Sequence, residues 1–154
     1  MRRPVRVSKN VAQTDAFRVC INSGKNTGAY AVIEQTVIGA GGVLGRLRFT
    51  NLERTLIDIA VRPVYSGGIG EVAKAYELAR ENASINVLAA TLQKLRYIYP
   101  YHQVIGFYLE RAGYKTGQLD LLRRFPMEFD FYLSHAGRDM RYVEDWRLHV
   151  PRDF

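Results

Sequence analysis

Residues 50–79 read TNLERTLIDIAVRPVYSGGIGEVAKAYELA, and at Thr50 the apolar spacing changes from every second residue to every third or fourth. Upstream the chain alternates. In FRVCIN (17–22), Phe17, Val19 and Ile21 alternate with Arg18, Cys20 and Asn22, the period of a half-buried strand. AYAVIEQTVI (29–38) reads as a second strand, paired with the first through the turn SGKNTG (23–28). RLRFT (46–50) is a short third strand after the loop GAGGVLG (39–45). From Thr50 onward, Leu52, Thr55, Leu56, Ile59 and Ala60 share one helical face. Thr50 and Glu53 have the spacing of a capping box, Arg54 is placed to pair with Asp58 and Asp58 with Arg62, and Pro63 stops the helix.

Further helices follow. Val72, Ala75, Tyr76 and Ala79 mark the second, after the Gly67–Gly68 break. Ser84 caps a third that carries Ile85, Leu88, Ala89, Leu92 and Tyr99 on its buried stripe and ends at Pro100. A fourth holds Val104, Ile105, Tyr108 and Ala112 and closes at Gly113, and a short fifth covers 117–124. The period then returns to two: Phe129, Phe131 and Leu133 form one strand, and Trp146, Leu148 and Val150 another, expected to be antiparallel strands that pair with each other or complete the first sheet. Strands, then helices, then strands predict an α+β fold. The expected organisation is a single domain, 1–154, with a basic strand and loop region (1–49), a helical region (50–125) and C-terminal strands (126–154).

The chain of 154 residues is long enough to bury a sizeable core, and 47% hydrophobic with 24% charged residues is ordinary for a globular domain. One cysteine, Cys20, offers neither an internal disulfide nor a thiolate zinc site. With no signal-peptide core and no apolar run of membrane-spanning length, the expected location is the cytoplasm and no membrane partner is expected. The net charge of +7 is uneven: residues 1–50 hold eight Lys or Arg against Asp15 and Glu34. Counterion release makes such a surplus attractive to polyanions, so Arg2, Arg3, Arg6, Lys9, Arg46 and Arg48 are candidate auxiliary nucleic-acid contacts; the other reading of the same surplus is a solvated face or arm that keeps the protein soluble.

No catalytic, metal-binding or cofactor-binding set is recognisable. GAGGVLG lacks the last glycine of a dinucleotide fingerprint, with Leu44 in its place, and SGKNTG lacks the leading glycine of a phosphate loop. His102, His135 and His149 have no ligand spacing, Ser134 beside His135 has no nucleophile elbow, and Glu128 with Asp130 reads as an exposed polar strand face. KLRYIYPYHQ (94–103) mixes Lys94 and Arg96 with Tyr97, Tyr99 and Tyr101, the residue mixture that holds single-stranded nucleic acid. With Tyr99 on the helical stripe, the tyrosines read as packing at a helix corner, Tyr97 and Tyr101 being the exposed members.

Two segments resemble the AbiEi-type antitoxin family. Residues 50–79 look like its "ERT-L-D" helix, Arg-Pro turn, Gly-Gly step and amphipathic helix; FDFYLSHAGRDMRYVEDWRLHVP (129–151) looks like its C-terminal strand, polar loop and "WRL-x-x-P" strand. Together they span about half the chain. The resemblance implies a non-enzymatic transcriptional regulator of a type IV toxin–antitoxin system active in abortive infection and phage defence. It implies operator DNA as a partner, bound in the family through an N-terminal winged helix-turn-helix, and a functionally paired nucleotidyltransferase-like toxin that is opposed without a stable complex. The signature positions here are Glu53, Arg54, Thr55, Asp58, Arg62, Pro63, Gly67 and Gly68, with Trp146, Arg147 and Pro151, and their expected roles are structural. Residues 1–49 hold no three-helix pattern, so the expectation is either the C-terminal portion of a longer protein or a stand-alone relative. The alternative function is a protein-interaction domain that uses the Tyr-rich 97–108 region as a contact patch in a homo-oligomer.

Overall fold

The change of period at Thr50 corresponds to the main division of the fold. A computed structural model describes residues 8–20, 28–134 and 139–154, and in these the chain is mixed α+β: N-terminal strands, a central run of five helices, and C-terminal strands. The strands fall into three small sheets.

β1 (Val11–Gln13) and β2 (Arg18–Cys20) form the first, antiparallel. Alternation alone predicts that 17–22 pairs with 29–38. A local turn wins instead: the Thr14 hydroxyl accepts the Phe17 N–H (3.0 Å), and the Thr14 N–H donates to the Phe17 carbonyl (2.9 Å). β3 (Val32–Ile38) therefore pairs with β4 (Leu44–Thr50), in register Ile33↔Phe49, Glu34↔Arg48 and Thr36↔Arg46. The connection is the turn at 39–43, so Leu44 and Gly45, predicted as loop, belong to the strand.

The helices are α1 (Leu52–Val61), α2 (Ile69–Ala79), α3 (Ile85–Leu95), α4 (Tyr101–Arg111) and α5 (Thr116–Arg123). The cap of α1 differs from the expected Thr50–Glu53 box. Asn51 is the N-cap, its side chain accepting the Arg54 N–H at 2.9 Å. Glu53 is thereby released to reach another helix: its carboxylate accepts the Ser84 N–H at 2.9 Å, while the Ser84 hydroxyl accepts the Val87 N–H. The result is a capping box shared by two helices, Glu53 of α1 completing the cap of α3. Gly68, at φ +99°, starts α2 from a backbone region that side chains rarely adopt.

α4 is the central element. Every residue from His102 to Leu109 is buried, and α1, α2, α5 and the turn Glu144–Trp146 pack against it. Tyr76 of α2 stacks on Tyr108 at 5.1 Å between centroids, and its hydroxyl donates to the Leu56 carbonyl. The buried face of α1 is Glu53, Arg54, Leu56, Ile57 and Ala60; Leu52 and Thr55, placed on the core stripe by periodicity, are exposed. α3 stops at Leu95, one turn short of Tyr99, because Arg96 adopts the left-handed conformation.

The third sheet has the order β5 (Phe131–Tyr132), β7 (Leu148–Pro151), β6 (Met140–Val143). The antiparallel partner of β7 is β6, drawn from a stretch that reads as polar loop; β5 lies parallel to β7 on its other side. Trp146 is not on the strand face. It lies in the turn before β7, and Arg147, at φ +46°, redirects the chain between them. Trp146, Leu148 and Val150 are all buried, which is why they mimic one alternating face.

Candidate nucleic-acid interface

Two basic surfaces emerge, one expected and one not. On the β3–β4 hairpin, cross-strand register puts Glu34, Thr36, Arg46 and Arg48 on one face and Ile33, Val37, Leu47 and Phe49 on the other. Arg46 reaches Glu34 at 3.3 Å, and Arg48 is exposed with no ion pair among the described residues. Lys9 is exposed ahead of β1, on a different sheet. Arg2, Arg3 and Arg6 lie outside the described residues.

The signature residues are joints. Arg54 is only 4% exposed; its guanidinium donates to Asp58 at 2.8 Å and to the Tyr30 carbonyl at 3.0 Å, and Asn51 N–H donates to the Ala31 carbonyl. These bonds tie the base of the hairpin to α1. Asp58 is the partner of Arg54 and not of Arg62. Pro63 opens a single 3₁₀ turn, Pro63–Ser66, that leads to Gly67. At the other end, Arg147 donates to Asp130 (2.9 Å) and to the Met127 carbonyl (2.8 Å), and Tyr142 donates to the same Asp130 carboxylate. Those bonds lower the Asp130 pKa and explain the carboxyl as a brace. Trp146 donates from Nε1 to Glu110 at 2.9 Å, with the Arg123 guanidinium 5.0 Å from its ring centroid. Gln103 is the joint that the sequence did not signal: its buried amide donates to the carbonyls of Phe129, Trp146 and Arg147.

The unexpected surface is a cleft of about 860 Å³ between the hairpin base and the C-terminal ends of α1 and α3. Its lining includes Arg62, Lys94 and Arg96, with Tyr30, Tyr97, Tyr99 and Tyr101. None of these three cations has an ion pair among the described residues. Two helix ends converge here, each carrying roughly half a negative charge, and they offset part of the repulsion among the cations. The exposure pattern reverses the expected one. Tyr99 is 61% exposed, whereas Tyr97 and Tyr101 are half-buried and stand edge-to-face at 5.1 Å. Tyr99 stacks on Phe131 at 6.2 Å with an interplanar angle of 22°. Burial raises the pKa of Tyr97 and Tyr101, so both hydroxyls stay protonated donors at neutral pH. Farther along, Tyr108 is 1% exposed and 104–109 is core, so the 97–108 stretch presents only its first residues to solvent.

Among the described residues no group of three or more His, Cys, Asp or Glu is placed to hold a metal ion, and no helix is long and apolar enough to cross a membrane. His135 lies outside the described residues, so its pairing with Ser134 does too.

The fold and surfaces define an α+β domain with a helical centre, a basic hairpin and a tyrosine-lined cationic cleft. Its fold is similar to that of the Rv2827c protein from Mycobacterium tuberculosis, known from a crystal structure, with a TM-score of 0.54 and 17% identity. The likeness covers 66% of this chain and 35% of that one, so the chain spans about a third of the length of the protein it matches. At that identity the likeness is one of fold. No protein-family model and no curated protein matches the sequence.

Proposed function

We propose that this chain is a non-enzymatic, antitoxin-like regulatory domain of a type IV toxin–antitoxin system, and that the basic face of its β3–β4 hairpin supplies an auxiliary contact to DNA. The observation that carries the reading is the buried Arg54 bridge to Asp58 and Tyr30: the residues of the family-like "ERT-L-D" segment fasten a hairpin bearing Arg46 and Arg48 to the helical body. A hairpin held this way presents its charges from a fixed base, which suits contact with a phosphate backbone. The functional counterpart in this reading is a nucleotidyltransferase-like toxin, opposed in the cytoplasm without a stable complex.

Two measurements test it. Co-expression with a nucleotidyltransferase-like toxin should restore growth; continued growth arrest, with the domain soluble and folded, defeats the antitoxin reading. Duplex affinity should fall with salt, and Arg46→Ala with Arg48→Ala should reduce the log–log slope by about 2, near 0.9 per phosphate contact. An unchanged slope defeats the hairpin contact.

A further inference from the structure

We infer that the cleft between α1 and α3 is a binding site for an unpaired nucleotide, with the base stacked on Tyr99 and the phosphate held by Arg62, Lys94 and Arg96. The volume of about 860 Å³ lies in the range usual for small-molecule sites, about 300–1,000 Å³. The two halves of a nucleotide find opposite chemistries in one lining. Tyr99 already has a stacked neighbour, Phe131, on one side, and its high exposure leaves ring surface for a base to extend the stack. Tyr101 contacts both Tyr99 and Phe131 edge-on, at 6.1 and 5.7 Å, and fixes the plane of the platform.

The phosphate end is supplied by residues just past, or in, the last turn of two helices. Arg62 follows α1 and lines the cleft together with Tyr97, Tyr99 and Tyr101. Lys94 lies in the last turn of α3, and Arg96 follows it in a left-handed conformation that glycine or asparagine usually occupies. An arginine there bears a conformational penalty that glycine would avoid, and its side chain lines the cleft. Asp58, whose charge reaches Tyr97, is paired with Arg54 at 2.8 Å. Stacking is indifferent to base pairing partners but requires an accessible ring face, which a duplex does not offer. The site therefore selects single-stranded nucleic acid or a free nucleoside phosphate.

The site is separate from the hairpin face, so its test does not depend on the regulatory reading. Fluorescence anisotropy with a labelled adenine hexanucleotide, and calorimetry with AMP, are run on the full chain at about 50 mM salt, where phosphate contacts are strong. Binding of AMP assigns the site to a free nucleotide; binding of the hexanucleotide alone assigns it to a strand. In either case Tyr99→Leu should weaken the affinity about five- to one-hundred-fold, the range of one base–aromatic stack, and Tyr99→Phe should keep it. Arg62→Gln with Arg96→Gln should lower the hexanucleotide salt slope by about 0.7 for each phosphate that is no longer neutralised. Failure of both ligands to bind, an unchanged affinity for Tyr99→Leu, or, in the Arg46→Ala, Arg48→Ala background, equal affinity for a matched duplex overturns the inference. Arg46→Ala with Arg48→Ala should leave AMP or hexanucleotide affinity intact while weakening duplex binding, which separates failure of this site from failure of the hairpin contact. Thermal melting of each variant confirms that the exposed substitutions leave the fold in place.

Discussion

Gly106 and Trp146 occupy space they can share only because Gly106 has no side chain: a Cβ built there would overlap the six-membered ring of Trp146. The indole is fully buried, held from its edge by Glu110 and covered by Arg123.

Gly106→Ala should therefore destabilise the fold despite alanine's better helix propensity. Overpacking typically costs about 1–3 kcal/mol, and the propensity gain returns up to about 1, leaving a net loss of about 1–2 kcal/mol. Urea unfolding followed by far-ultraviolet circular dichroism, which also reads variants that lack Trp146, the protein's one tryptophan, measures it. The double variant Gly106→Ala, Trp146→Phe should lose less than the sum of the two single variants, since the smaller ring relieves the overlap. Strict additivity would show that the close approach is unimportant.

Glu53 carries a second structural prediction. Glu53→Ala leaves the Ser84 N–H without its acceptor in a largely buried site, at a cost of about 1–2 kcal/mol. Glu53→Gln retains an accepting oxygen and should lose less than half of that. Hydrogen exchange should show the first turn of α3 losing protection in the alanine variant before α2 or α4 does.

His102 predicts the acid limb of stability. Burial lowers its pKa from 6.5 to about 4, while a hydrogen bond to the Pro126 carbonyl pulls weakly the other way. The unfolded chain thus binds more protons than the folded one between about pH 6.5 and 4. Stability from this group is fully present above pH 6.5 and declines as pH falls through that window, by roughly 2 kcal/mol after allowance for solvent screening. His102→Phe should flatten that part of the profile, with the ring still able to stack on Phe125. A variant with the same slope from pH 6.5 to 4 would assign the acid sensitivity elsewhere.

Glu34 restrains the hairpin's charge. Its ion pair with Arg46 is exposed, so it adds little stability, yet it occupies one of the two arginines of that face. Glu34→Gln should leave the melting temperature nearly unchanged and raise duplex affinity about two- to five-fold at about 0.1 M salt. Gel shift at two salt concentrations decides it; weaker binding would count against contact through this face.

The α+β order and the five helices are legible because the change of period marks each element and the proline and glycine signals separate them. Arg54 with Asp58 was legible for the same reason, four-residue spacing on a helix. What escaped detection depended on partners distant in sequence. Gln103 collects carbonyls from 129, 146 and 147, and nothing local distinguishes it from a solvent-facing glutamine. Tyr99 was misplaced by one turn of helix that never forms, since the left-handed Arg96 has no reliable signature in composition. Strand pairing went astray twice: short strands carry too few alternating residues to specify a neighbour, so the Thr14 turn and the buried Trp146 decided the register instead.

The C-terminal sheet, in which β7 lies between two strands that do not pair with each other, has a consequence for the order of events during folding. β6 and β7 are joined by the four residues that include Trp146, so they can close locally, whereas β5 has no partner until β7 is in place. Seating the indole against Gly106 brings the β6–β7 pair onto α4, and the parallel strand is an addition made to a finished template.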